Sequence, residues 1–220
     1  MKRRVLGTVV RQFGHPRGGA GQVAGWVMAH RRSNRERNRW VVGLLDLQPT
    51  ERVLEIGFGP GLAIAELARR ARHVHGVDRS AVMVRQASRR NRAAIDAGRV
   101  ELLQAAVDRL PPFDPPLDVV MAVNTLGFWP EPAQRLRELR NLLRPGGRIA
   151  LASQPRSPGA TRETTARAAG ELRDLLAEAG FVEIRSETLE LDPPVACVLA
   201  IRPAPGEPAH LVRRSRADAR

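Results

Sequence analysis

From residue 52 onward, short apolar runs alternate with amphipathic stretches, and no other feature of the sequence constrains its fold as strongly. Runs of strand length fall at 52–56, 73–77, 100–104, 117–123 and 148–153. Helical periodicity fills 62–70, 80–97, 132–143 and 164–179, with Ser80 placed as an N-cap and Pro145-Gly146-Gly147 closing the third helix. Strands and helices alternating at this spacing build a parallel sheet covered on both faces. Two further runs, 181–189 and 195–202, have no helix between them, so they are expected to pair as a hairpin and add an antiparallel edge. The expected fold class is α/β, a doubly wound, Rossmann-like sheet preceded by an N-terminal helical arm.

Ahead of the sheet, Ser33-Asn34-Arg35-Glu36 has the spacing of a capping box with Ser33 as N-cap. The helix it opens places Trp40, Val41, Leu44, Leu45 and Leu47 on one side and is expected to end before Pro49. Residues 1–19 read as an arm or lid and 20–30 as a short helix. Residues 203–220 read as a disordered tail. The expected division is therefore 1–40 as arm and substrate cover, 41–202 as the main domain and 203–220 as tail.

The chemistry starts where the first strand ends. VLEIGFGPG (53–61) carries a strand into a glycine-rich turn and then a helix. Glycines allow positive φ and close approach of a ligand to the backbone, and the helix start presents free N–H groups. The dinucleotide fingerprint would need glycine or alanine at position 62, where Leu62 stands, and the Gly-Lys-Ser/Thr of a P-loop is absent. Asp78 ends the second strand 17 residues after Gly61. In doubly wound folds an acid there grips ribose hydroxyls.

These residues, together with VHGVD (74–78), Leu110-Pro111, DVVMAVNTLGFW (118–129) and LRPGGRIAL (143–151), resemble the class I S-adenosylmethionine-dependent methyltransferases over roughly 41–202. The resemblance implies a seven-stranded sheet with a reversed last strand and S-adenosylmethionine as cofactor. It implies that Gly57, Phe58, Gly59 and Gly61 pass under the methionine end of the cofactor and that Glu55 orients its amino group. It further implies Asp78 on the ribose, Arg79 and Met83 near the adenine, and Asn124 beside the sulfonium. Where many relatives carry Gly-Asp-Ala, this chain has Ala105-Ala106-Val107, with Asp108 two positions late, so the adenine contact falls to backbone groups around Ala106 and Val107, or Asp108 bends back to make it. Gly127 stands where relatives often have an aromatic, and the lost side chain either widens the acceptor pocket or costs activity.

Phe128 and Trp129 are candidates for an acceptor wall, with packing under the fourth strand as the alternative. Phe13 in the arm is a candidate substrate contact, and His15 is a weak candidate for a general base. The five histidines show no metal spacing and the single cysteine, Cys197, sits in an apolar strand, so no metal site is expected and the thiol is expected to be buried and inert.

The formal net charge of +13 is carried mainly by residues 1–40, with 10 basic side chains and 1 acidic. The body is nearly neutral, and Lys2 is the only lysine among 36 basic residues. A solvated arginine-rich helix accounts for this excess, although a basic arm can also steer RNA or an anionic membrane. The apolar runs are far short of the roughly 18 residues of a membrane span, and the N-terminal run is too short for a secretory signal, so a cytoplasmic protein is expected. The fourth strand is followed by Asn124-Thr125-Leu126-Gly127 and not by the Asp/Asn-Pro-Pro-Tyr of enzymes that methylate base amines, which argues against nucleic acid. The expected activity is methyl transfer to a small molecule. The alternatives are a lipid headgroup or RNA acceptor reached through the arm, or a non-catalytic cofactor-binding subunit.

Overall fold

A computed structural model describes residues 32–114 and 116–205. The elements run in the order α1 (Arg32–Leu44), β1 (Arg52–Ile56), α2 (Leu62–Leu67), β2 (His73–Asp78), α3 (Ala81–Arg90), α4 (Arg92–Asp96) and β3 (Val100–Gln104). They continue with β4 (Leu117–Val123), a 3-10 turn (Leu126–Phe128), α5 (Pro132–Leu142), β5 (Leu143–Ser153), α6 (Arg162–Glu178), β6 (Val182–Leu189) and β7 (Val195–Ile201). Residues 1–31 of the expected arm over 1–40, with Phe13 and His15, and residues 206–220 of the expected tail over 203–220 lie outside the described residues.

The seven strands form one sheet in the order β3-β2-β1-β4-β5-β7-β6. β1 pairs in parallel with β2 on one side and β4 on the other, so the order reverses between β1 and β4. A crevice opens outside the carboxyl ends of the strands at such a switch point. The hairpin forms as expected, and its first strand makes the edge. β7 is antiparallel to both β5 and β6 and lies between them, leaving β6 outermost. The burial explains the order: six of the seven β7 residues are buried, whereas β6 alternates between half-buried and exposed. The fully apolar strand needs neighbours and helices on both sides, and the alternating one can face water.

Pleating sends successive residues to opposite faces, and two cores result. Val53, Met121, Ala150 and Cys197 pack with Val41, Val42, Ile64, Leu67 and Met83 from α1, α2 and α3. Leu54, Val120, Ile149, Leu151 and Val198 pack on the other face with Leu136 and Leu139 of α5 and Leu172 and Leu176 of α6. Each leucine buried in this way contributes roughly 1.5–3 kcal/mol relative to exposure.

Four local expectations change. Ser33 is already helical in α1 and is not its N-cap; the buried face Asn34, Arg37, Val41 sets where the helix sits. The same helix stops at Leu44, well before Pro49, because Asp46 takes a left-handed φ of 46° and Arg148 satisfies the end carbonyls. Arg148 donates to Leu45 O at 2.7 Å and Asp46 O at 3.1 Å while its fork engages both oxygens of Glu51 at 2.7 and 2.8 Å. The long helix expected over 80–97 breaks at Asn91, whose amide is turned inward to Gly61 O at 3.1 Å and Ala87 O at 2.9 Å. That break fastens α3 to the glycine turn. Finally, the expected start of the fifth strand at 148 moves to Leu143, because Leu143 pairs with Leu117 before four residues bulge out and pairing resumes at Arg148.

Candidate active site

The turn leaving β1 holds three glycines at positive φ: 72° at Gly57, 53° at Gly59 and 76° at Gly61. Their surroundings differ. A Cβ at Gly57 would lie 2.3 Å from Thr125 Cγ2, and one at Gly61 would lie 2.7 Å from Ala87 Cβ. A Cβ at Gly59 would meet nothing within 4 Å. Gly57 and Gly61 therefore let neighbouring elements close up, while Gly59 faces the open cavity. Phe58 lies between Gly57 and Gly59 with its side chain buried in the core, and it also lines the cavity.

Asp78, at the tip of β2, is buried and accepts two backbone hydrogen bonds, from Gly59 N at 2.9 Å and Ser80 N at 2.8 Å. Burial raises its pKa, against the pull of those two N–H groups. Glu55 on β1 is fully buried in the same cavity wall, and its Oε2 has no hydrogen-bond partner among the described residues. Burial, and then the charge of Asp78, push Glu55 up to about 8. Ser80 caps α3 by accepting from Met83 N, which brings buried Met83 to the cavity. The loop after β3 starts with Ala105 N donating to Asp78 O at 3.2 Å, and Ala106, Val107 and Asp108 line the same cavity.

The acceptor side is built after β4 and β5. Asn124 takes a φ of 56°, its N donates to Ala152 O at 2.8 Å, and its Oδ1 accepts from Gln154 N at 2.7 Å. Phe128 and Trp129 separate in role. Trp129 is buried in the core under the sheet and borders the cavity from there, whereas Phe128 is 52% exposed at the cavity rim, with the Arg79 guanidinium 5.2 Å from its ring centroid. A Cβ at Gly127 would meet nothing within 4 Å, so the missing side chain leaves space there. Together these elements enclose about 1050 Å³ that runs from the glycine turn to Leu172 and Leu175 of α6.

The sequence reading missed Asn34, Arg37, Gln154 and Arg156, which also line the cavity. The recurrence of Asn34, Arg37 and Val41 at helical spacing was the available signal. His73 and His75 lie at the amino end of β2, away from this cavity, in contact with each other at 3.1 Å. Burial pushes the Cys197 thiol up to about 12, which leaves it a core side chain.

Residues 53–147 match the methyltransferase domain family. Over 185 residues, 83% of this chain and 99% of the relative, the sequence is 29% identical to an uncharacterized methyltransferase of Bacillus subtilis (strain 168), YdaC. Over residues 53–147 the chain carries a methyltransferase domain of the class I S-adenosylmethionine-dependent type. Other curated relatives share a shorter region: a ubiquinone biosynthesis O-methyltransferase of Aeromonas salmonicida (strain A449) is 32% identical over 111 residues, 50% of this chain and 46% of its own length. The N-methyltransferase NodS from Bradyrhizobium japonicum WM9, solved with S-adenosyl-L-homocysteine, shares the fold with a TM-score of 0.67 at 15% identity, covering 90% of this chain and 97% of that one.

The cofactor of this class I methyltransferase is S-adenosylmethionine, and the cavity fits it on two structural grounds. The open side of Gly59 is a cradle that any side chain would fill. The Glu55 carboxyl, buried beside Asp78 with its Oε2 lacking a partner among the described residues, is the kind of group an arriving ammonium satisfies. Among the described residues no helix is long and apolar enough to cross a membrane.

Proposed function

We propose that this methyltransferase acts on a small-molecule acceptor that enters beside Phe128 and Gly127. The observation that carries this reading is the continuity of one cavity from Gly59, Glu55 and Asp78 to the wall formed by Phe128, Leu172 and Leu175. Its volume, about 1050 Å³, suits two small molecules side by side better than a polymer. The body over 41–202, covered by α1, is the unit to which we assign the activity.

S-adenosylmethionine would supply an electrophilic methyl group, to whose carbon the acceptor's nucleophile bonds in line as the bond to the sulfonium sulfur breaks and the pair leaves with S-adenosylhomocysteine. The protein's part is positioning, and well-oriented pairs reach effective molarities of roughly 10⁵–10⁸ M. Asp78 keeps a free lone pair on each oxygen for ribose hydroxyls, and Glu55 meets the amino group. The backbone of Gly59 allows close approach, with Met83, Ala106 and Val107 around the adenine. Asn124, fixed by Gln154, borders the reacting centre. Phe128, presented at the rim by the 3-10 turn, offers an aromatic surface to the acceptor.

The test is a screen of small-molecule extracts with S-adenosylmethionine labelled in the methyl group. The expected result is one labelled small product, made by the wild type and lost in Asp78→Ala. Label appearing only in RNA or in lipid would overturn the small-molecule reading.

A further inference from the structure

The far end of the cavity carries positive charge that methyl-group positioning leaves unused. Arg37 of α1 is only 7% exposed. Its Nη1 donates to Gln154 Oε1 at 2.8 Å, and its Nε is buried with no hydrogen-bond partner among the described residues. Arg156, in the loop after β5, donates from Nη2 to the same Gln154 oxygen at 3.1 Å and to Asn34 Oδ1 at 2.6 Å. Two guanidiniums thus converge on one neutral amide. Burial, and then the like charge of Arg156, bring Arg37 down to about 9, and no described carboxylate is in ion-pair contact with Arg37 to offset that repulsion.

Gln154 cannot turn away from this task. Its Nε2 donates to Pro193 O at 2.8 Å and its backbone N to Asn124 Oδ1 at 2.7 Å, which fixes the amide with its oxygen toward the arginines. A buried guanidinium whose Nε has no partner among the described residues, set beside a second guanidinium, is the arrangement that receives a planar or tetrahedral oxyanion through paired hydrogen bonds.

We propose that Arg37 and Arg156, held by Gln154, form an oxyanion subsite that takes a carboxylate or phosphate carried by the methyl acceptor. The proposal rests on the small-molecule reading and narrows it to anionic acceptors. Its place in the sheet assigns it to the acceptor. Gln154 and Arg156 follow β5, on the far side of β4 from the tips of β1 and β2, where Glu55 and Asp78 stand.

The experiment titrates inorganic phosphate into the wild type, Arg37→Met, Arg37→Lys and Arg156→Met, each saturated with S-adenosylhomocysteine, by calorimetry and thermal melting at low salt. The wild type is expected to bind phosphate saturably and each methionine variant about tenfold or more weakly, with Arg37→Lys in between. S-adenosylhomocysteine affinity is expected to stay within about twofold in all four proteins. Phosphate binding that is absent from the wild type, or equal in all variants, overturns the subsite. A loss of S-adenosylhomocysteine affinity in Arg37→Met also overturns it, because the guanidinium then serves the cofactor's own carboxylate. Should Arg37→Met fail to fold, Arg156→Met, altered on an exposed loop residue, decides the question alone. Failure of the wild type to bind S-adenosylhomocysteine is a separate outcome that strikes the methyl-transfer reading, and the phosphate titration of the same protein without it still judges the subsite.

Discussion

The backbone N–H of Gly59 donates to Asp78 Oδ2 at 2.9 Å, so the acid at the tip of β2 also holds the middle of the turn that leaves β1. A side chain assigned to a ligand is therefore part of the scaffold as well. Asp78→Ala should lower S-adenosylhomocysteine affinity by at least about tenfold, because charge-assisted hydrogen bonds to the ribose are lost. It should also lower the melting temperature, because Gly59 N and Ser80 N lose their acceptor. Calorimetry and thermal melting on the same samples check both, and full affinity in the variant would remove Asp78 from the site.

Glu55 links ligand binding to protons. Its pKa stands near 8 in the folded chain against an ordinary 4.5, so the folded state holds a proton that the unfolded state has released between those values. Stability contributed by this group is full below pH 4.5 and is lost as pH rises through about 8. Glu55→Gln should flatten that decline. If an ammonium settles against the carboxylate, S-adenosylhomocysteine binding near neutral pH should release about one proton in the wild type and none in Glu55→Gln. Calorimetry in two buffers of different ionisation enthalpy reads the number directly.

The glycines of the turn should fail in different ways. Gly59→Ala meets only open cavity, so it should cost about 1–2 kcal/mol for the left-handed backbone yet fold, and should bind cofactor poorly. Gly57→Ala would drive its methyl into Thr125 Cγ2 and should destabilise the fold more. Adding Thr125→Ser removes that methyl and should recover part of the loss. Urea unfolding of the two single variants and the double variant measures the coupling.

At the opposite end of β2, His75 should make the chain sensitive to acid. Burial, then the charges of His73 and Arg52, bring it down to about 4 from an ordinary 6.5, despite Glu101 Oε2 at 3.1 Å. Between those values the unfolded chain binds a proton that the folded chain refuses, so stability falls as pH drops from 6.5 toward 4. This opposes the trend from Glu55. His75→Gln should remove the acid-side loss, and the difference from wild type in urea midpoints across that range isolates it.

Glu55, Gly59, Asp78 and Asn124 were legible as a group because each sits at the carboxyl end of a strand or just beyond it, and parallel strands bring those ends together whatever the details. Phe128 and Trp129 could not be told apart, since the 3-10 turn that presents one and buries the other leaves no periodic trace. In the sequence, Arg37 is one charge among the many of a solvated arginine-rich helix. Its burial depends on Gln154, 117 residues away, and no local pattern announces such a partner. The break at Asn91 escaped for a related reason: propensity over 80–97 favours one helix, and a side chain recruited by Gly61 O overrules it. The position of β7 inside the sheet follows from the contrast between its apolar run and the alternation in β6, a contrast present in the sequence but not used.

That order of strands has a consequence for synthesis. β6 joins the sheet through β7 alone, so residues 182–189 have no strand to pair with until 195–201 have left the ribosome. Until then β5 waits with one edge open along Ile149, Ala150, Leu151 and Ala152, all of them buried in the finished protein. An exposed apolar edge of this kind templates pairing with another chain. A nascent chain stalled after β6 is accordingly a nucleus for aggregation, and a single seven-residue strand, arriving last and running backwards, closes the vulnerable edge in one step.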